Sequence, residues 1–379
     1  MSIERPYQQC TISVMDTISD PNISFDEQGV CNYYNEYKAA ESEFVLKGEE
    51  AGKKLKDIIT AIKKEGKGKQ YDCIIGISGG VDSSYVAYLT KLHGLRPLAV
   101  HFDNGWNSEL AVKNIENLVT KLNIDLYTLV VNWDEFKDLQ LSYLKASVVD
   151  IEVVTDHAIT GAIGRLAKKY NVKYLLNGWN VVTEAIMPEA WIYNKNDHVN
   201  LLDIHKKFGK VPLKTYPVFN RFIKKYTQQV LGVQPVSLLN LVPYNKQDIK
   251  KFIQQEFDWR DYGGKHYESI FTKFYQAFIL PKKFNIDKRK AHLSSMIFSG
   301  QITREAALEA LKQPLYTAGE LNKDLDFVLK KLGLSMAEFE ALMALPVKQH
   351  TDYAIEKSVY NQYPLLRFLK PVRDVFLKS

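Results

Sequence analysis

Short apolar runs rich in β-branched residues recur at residues 71–77, 97–102, 126–131, 173–177 and 236–241. Each has the length of a strand buried on both faces. Between them lie longer stretches with apolar residues at helical spacing. These predict helices over residues 49–64 (Leu55, Ile58, Ile59 and Ile62 on one face), 84–92, about 107–122, 134–146 and 156–170. Strand and helix alternate, which predicts an α/β fold with a doubly wound parallel sheet. Ligands of such sheets bind beyond the strand C-termini. That rule gathers residues 78–84, Asp103 and the pair Asn177-Gly178 on one rim. After about residue 243 the pattern becomes helical to the end of the sequence.

The first strand runs into Ser78-Gly79-Gly80-Val81-Asp82-Ser83-Ser84. Two adjacent glycines let the backbone N–H groups face one concavity, and the helix that follows adds its positive end. Ser78, Ser83 and Ser84 supply hydroxyls, and Asp82 is placed to cap the helix. The expected ligand is phosphate. No Gly-Lys-Ser/Thr follows, so this is not a Walker A loop. It resembles the pyrophosphate-binding loop of the ATP pyrophosphatase (PP-loop) group, which splits ATP between the α and β phosphates.

Composition narrows the class. The 379 residues are 46% hydrophobic and 25% charged, with a net charge of +6, as expected of a water-soluble protein of two or three domains. No apolar run is long enough to span a bilayer, and the first residues have no apolar signal core. The expected location is cytoplasmic. Three cysteines at irregular spacing exclude a disulfide framework. The mild positive charge suits anionic small substrates and does not by itself demand RNA.

Three units are expected. Residues 1–50 form an N-terminal arm, 51–243 the nucleotide-binding α/β domain with an insertion at 187–232, and 244–379 a helical region for substrate binding or oligomerisation. In the arm, Cys10 and Cys31 stand where two Cys-x-x-Cys knuckles would begin, but the second positions are Ser13 and Tyr34. Two thiolates are too few for structural zinc, so the expectation is a remnant without metal. On the rim, Phe102 and Asp103 end the second strand, where a purine and ribose would lie. Phe102 reads equally as plain core. Glu184, with Asp82, is a candidate Mg²⁺ ligand on the phosphates, or else a surface helix residue.

A wider resemblance rests on residues 14–17, 25–27, 29–32, 78–84, 183–184 and 203–209. It rests most of all on residues 258–276, Asp258-Trp259-Arg260-Asp261-Tyr262-Gly263-Gly264-Lys265-His266-Tyr267-Glu268 onward, and on residues 288–295. These resemble the N-acetyl sugar amidotransferases of bacterial surface-polysaccharide (lipopolysaccharide O-antigen) and flagellar-sugar pathways, pseudaminic acid among them. The resemblance implies that ATP and Mg²⁺ adenylate the oxygen of an N-acetyl group on a sugar or sugar nucleotide. Ammonia then displaces AMP to leave an acetamidino group. It also implies a separate glutaminase with a cyclase-like barrel subunit as the ammonia source.

Asp82, Ser83, Lys265 and His266 are the expected catalytic residues. Arg260, Gly263, Gly264, Lys265, His266, Glu268, Arg289 and His292 are the expected sugar contacts. The 260–268 block reads otherwise as a glycine turn before a helix. The cluster of Lys282, Lys283, Arg289 and His292 reads otherwise as a solvated basic face. None of the cysteines has the setting of a glutaminase nucleophile, so the chain is expected to use ammonia made elsewhere. The competing readings are a PP-loop tRNA sulfurtransferase, which calls for a reactive cysteine near ATP, and a non-catalytic nucleotide-binding subunit.

Overall fold

The computed structural model describes residues 5–264 and 267–357. Five parallel strands form the sheet: β1 (Cys73–Gly76), β2 (Pro97–Asp103), β3 (Asp125–Val130), β4 (Tyr174–Asn177) and β5 (Gln234–Ser237), in the order β3-β2-β1-β4-β5. The chain walks outward from β1 to β3, then returns to place β4 on the other side of β1. The crevice at that reversal lies beyond β1 and β4, where the glycine loop and Gly178 stand. The fifth strand is earlier than its apolar run suggested. It ends at Ser237, and Leu238–Leu241 coil into a buried 3-10 turn.

The strands alternate their side chains between two buried layers, as period-2 geometry demands. Ile75, Ala99 and Leu176 face one side. They meet α2 (Gly48–Glu65), α3 (Val81–Leu92) and α4 (Glu109–Leu122), the first two numbered after an unforeseen α1 (Asn32–Phe44). Ile74, Leu98 and Val100 face the other side, against Leu166 and Ala167 of α6 (Val153–Tyr170), which follows α5 (Trp133–Ala146). Each fully buried isoleucine contributes about 1.5–3 kcal/mol relative to an exposed one. α4, α5 and α6 all stop on a left-handed residue, Asn123, Ser147 and Asn171.

The helix Lys246–Phe257 packs Ile249, Ile253 and Phe257 into the first of these layers, so the sheet domain extends past residue 243. A third core joins the N-terminal arm to the C-terminal half. Cys10, Met15, Cys31 and Tyr37 pack with Phe136, Phe274 and Phe298. The Val14 N–H donates to Ser294 Oγ (3.3 Å), Lys290 pairs with Asp16, and Arg304 Nε donates to the Ser13 carbonyl (3.0 Å). The N-terminal arm is thus built onto the C-terminal helices.

The insertion is anchored by several carboxylates, Asp138, Asp150 and above all Glu135. Glu135 accepts from the N–H groups of Lys214 (3.0 Å), Thr215 (2.9 Å) and Tyr216 (2.9 Å) and from Thr215 Oγ1 (3.0 Å). Burial pushes this carboxyl up, but the converging N–H groups outweigh it and hold it below its ordinary value. Its contribution is therefore present above the unfolded carboxyl pKa and is lost as pH falls through the lower folded value. Glu135→Ala is expected to cost about 3 kcal/mol in urea unfolding at pH 7, since several buried donors lose their acceptor. An unchanged midpoint would show that Glu135 is dispensable and that Asp138, Asp150 and the apolar contacts hold the insertion without it.

Candidate active site

The glycine loop is closed by its own hydroxyls. Ser78 Oγ accepts from the Gly80 N–H (3.2 Å) and lies 3.3 Å from Ser83 Oγ, which donates to the Gly80 carbonyl (3.2 Å). Gly79 has φ +84°, and a Cβ there would sit 2.8 Å from the Ala111 carbonyl oxygen. Gly80 is the N-cap of α3 and no side chain caps it. The first N–H groups of the helix remain for an anion. Asp82 is not the expected cap. It lies in the first turn, and its carboxylate accepts a hydrogen bond from the Tyr244 hydroxyl. Ser84 also departs from expectation. It is fully buried, with no hydroxyl partner among the described residues, and does not face the ligand side.

Ser78, Gly80, Asp82 and Ser83 open onto a cavity of about 1080 Å³. Gly178 lies on its rim for a steric reason, since a Cβ there would come 3.0 Å from Asp82 Cβ and 3.2 Å from the Ser83 nitrogen. Phe102 lines the cavity and also packs on Phe136. Asp103 and Asn177 shape turns and are not among the lining residues. Asp103 Oδ1 accepts from the Gly105 N–H (2.8 Å) and Asn107 Nδ2 (3.2 Å), and Asn177 Oδ1 accepts from the Trp179 N–H (3.0 Å) and the Ser237 hydroxyl (3.0 Å). His101 and Asn107 line the wall that Asp103 was expected to supply. The Asn107 amide reaches His101 Nε2 (3.1 Å), while Nδ1 faces the Ile77 carbonyl (3.2 Å). That arrangement assigns the proton to Nδ1.

The C-terminal half closes the cavity. Gly263, Gly264, Glu268, Arg289 and His292 all line it. Lys265 and His266 lie outside the described residues. Arg260 is exposed and does not line the cavity, and its backbone pairs both ways with the Asn114 side chain (2.8 and 2.9 Å). Arg289 is engaged in fixing the wall. Its guanidinium pairs with Asp287 (2.7 Å) and donates to the Gln313 carbonyl (2.7 Å). His292 Nδ1 donates to the Thr183 carbonyl (3.0 Å), and its Nε2 lies 3.4 Å from the Lys246 ammonium. The supposed basic cluster divides. Lys283 donates to the Leu342 carbonyl (2.6 Å) and Lys282 lies over the Phe278 ring, both away from the cavity.

Several residues that frame the loop were assigned no role from the sequence. Trp259 Nε1 donates to the Gly79 carbonyl (2.7 Å), and the Tyr262 hydroxyl lies 3.1 Å from where a Gly80 Cβ would stand. Together with Tyr244, they clamp the phosphate loop from outside. Burial, then the Asp82 charge, pushes the Tyr244 phenol far above its ordinary value, so it donates and stays neutral. Glu184 lines the cavity and also acts on Tyr244. Asp82 and Glu184 both line this cavity. Two carboxylates and phosphate oxygens are what Mg²⁺ takes, so the residues present fit that ion. On another wall, Lys288 pairs with Glu152 (2.8 Å), which also accepts from Gln276 (3.0 Å).

No group of three or more His, Cys, Asp or Glu side chains is placed to hold a metal among the described residues. In the arm, the Cys31 N–H donates to Cys10 Sγ (3.3 Å), Ser13 Oγ lies 3.7 Å from Cys31 Sγ, and Tyr34 turns away onto Phe298.

Two family models match the chain. Residues 53–145 match NAD synthase, and residues 268–367 match the C-terminal domain of WbpG-like LPS biosynthesis proteins. The tRNA(Ile)-lysidine synthase of Chlamydia pneumoniae is 38% identical over 71 residues, which are 18% of this chain and 22% of that protein. The match therefore spans less than a quarter of the curated relative. Among solved structures, an NMN synthetase from Francisella tularensis aligns at 17% identity and TM-score 0.29, over 61% of this chain and 93% of that one. An NH3-dependent NAD synthetase from Campylobacter jejuni aligns at 14% and 0.29, over 55% and 84%.

Proposed function

From the pairing of a PP-loop domain of NAD-synthase type with a WbpG-like C-terminal domain in this chain, we propose an ATP-dependent amidotransferase. Its substrate is a bacterial sugar or sugar nucleotide carrying an N-acetyl group, and its product carries an acetamidino group. The observation that carries this reading is the shared cavity. The phosphate loop forms one wall, and Glu268, Gln276, Arg289 and His292 of the WbpG-like segment form another.

The chemistry follows from the walls. An amide oxygen is a poor leaving group, and adenylation makes it a good one. The amide oxygen attacks the α-phosphorus, and the bond to pyrophosphate breaks. The first N–H groups of α3 and the Ser83 hydroxyl hold the departing pyrophosphate. A Mg²⁺ held by Asp82 and Glu184 would neutralise charge on the phosphates. Val100, Phe102, Ile159 and Ile163 give the adenine an apolar slot. Ammonia adds to the activated carbon, AMP leaves with the former amide oxygen, and a proton is released. Gly263 and Gly264 bring bare backbone to the sugar, and His292 stands held by Thr183 on the same side.

ATP–pyrophosphate exchange tests the reading. Exchange that requires an N-acetyl sugar supports it. Exchange that requires tRNA favours a second reading, for which the 71-residue match to the lysidine synthase speaks. No exchange with either points to a non-catalytic subunit. Sulfur transfer has less support. Cys73 is buried in β1 with its thiol pushed up by burial, and Cys10 and Cys31 lie in the third core.

The same three buried thiols bear on the ammonia source. Each lacks access to glutamine, so the reading includes a separate glutaminase with a cyclase-like barrel subunit. The isolated chain, given ATP, sugar and glutamine, is expected to release no glutamate and to work on free ammonium at high pH. Sustained glutamate release would overturn this part of the proposal.

A further inference from the structure

The insertion carries a feature that the cavity does not use. No Asp or Glu occurs between Asp203 and Asp248, while eight lysines and arginines fall in that interval. Within it, the helix Arg221–Lys225 continues as a wider turn over Tyr226–Val230. Its inward side is set by Thr227, which is buried near Gly164 of α6. Its outward side is apolar. Phe222 is 84% exposed, Val230 70% and Tyr226 40%. Spaced four apart, they form one stripe. Lys224 and Lys225 lie on the same helix, and Lys168 of α6 extends its ammonium over the Tyr226 ring at 5.1 Å.

Arg221 is paired with Glu356 (2.7 Å), which leaves Lys224, Lys225 and Lys168 as the cations beside this stripe, and lysines flanking large exposed apolar side chains match an anionic membrane surface. We propose that this helix docks the protein on anionic lipid. The lysines meet the headgroups, and Phe222 and Val230 enter the boundary with the acyl chains. Each signal alone is weak, and the two together give stable but reversible binding. RNA would also meet the lysines, but it gives no reason for an aliphatic Val230 and a bare Phe222 at 70% and 84% exposure. The inference does not depend on the reaction assigned above.

The test is flotation of the full chain with vesicles of phosphatidylglycerol and phosphatidylethanolamine, and with vesicles of phosphatidylcholine alone. Binding to the anionic vesicles only is expected, weakening with salt. Both the F222D/V230D and the K224E/K225E double variants are expected to lose at least about tenfold in vesicle affinity, about one factor of ten per 1.4 kcal/mol. Both substitute outward positions away from the cavity, so ATP–pyrophosphate exchange in solution should be unchanged and reports that the variants are folded. Failure of the unaltered protein to float, or flotation of F222D/V230D equal to it, overturns the proposal. So does retention of a tRNA pool by the unaltered protein without vesicle binding, which would assign the surface to nucleic acid.

Discussion

Asp82→Asn is expected to lower ATP–pyrophosphate exchange about 10²–10³-fold, the scale of losing one preorganised electrostatic group at a reacting phosphate. Asparagine keeps an acceptor for the Tyr244 hydroxyl, so the phosphate-loop clamp survives and the variant should unfold at nearly the same urea concentration. What it loses is charge. Asp82 and Glu184 line the same cavity, and a divalent cation held by both would lose one of two anionic ligands. Ser83→Ala should also fall steeply, because its hydroxyl both closes the loop on Gly80 and faces the cavity. The measurement is pyrophosphate exchange across a Mg²⁺ titration. Near-normal exchange by both variants would remove the loop from the chemistry.

The second large effect is structural. A Cβ on Gly161 would lie 2.1 Å from the carbonyl oxygen of Pro217, closer than any real contact. Gly161 is buried in α6, in the helix that backs the sheet and supplies Thr155, Ile159 and Ile163 to the cavity. The obstacle is backbone, which cannot swing aside as a long side chain would. Gly161→Ala is therefore expected to destabilise the protein by about 3 kcal/mol, the upper range for overpacking. Urea unfolding measures it, with Gly319→Ala as the control because nothing stands within 4 Å of that position. Equal midpoints for the two variants would mean that the 217 segment yields freely.

The centre of the sheet was legible because β1 and β2 are buried on both faces and read as continuous apolar runs, while the edge strands β3 and β5 are partly exposed. The fifth was displaced because Leu238 and Leu239 are as buried as strand residues, and burial alone does not separate a strand from a 3-10 turn. The helix α1 escaped notice because only Tyr33 and Tyr37 of its thirteen residues are buried, which leaves almost no periodic signal. The phosphate loop was legible from its glycines and serines. Its clamp was not, since Tyr244 and Asp82 are 162 residues apart and Trp259 and Gly79 are 180 apart. Asp82 illustrates the limit. A helix-start aspartate reads as a cap, and only the fold shows that a tyrosine has claimed its carboxylate.

The joining of the arm to the helix Arg289–Phe298 and to Arg304 sets a timetable for making this protein. Val14 meets Ser294 across 280 residues of chain. At about 5–20 residues per second on the ribosome, an arm emerging first would wait roughly 15–60 s for its partner. Through that interval, Cys10, Cys31 and Met15, all fully buried at the end, have no finished core to enter. Removing the segment around residues 290–304 would strand the arm, so the two rise or fall as one cooperative unit. A growing chain that has not yet reached this segment is the one most open to thiol oxidation and chaperone capture, and synthesis past residue 304 releases it from both.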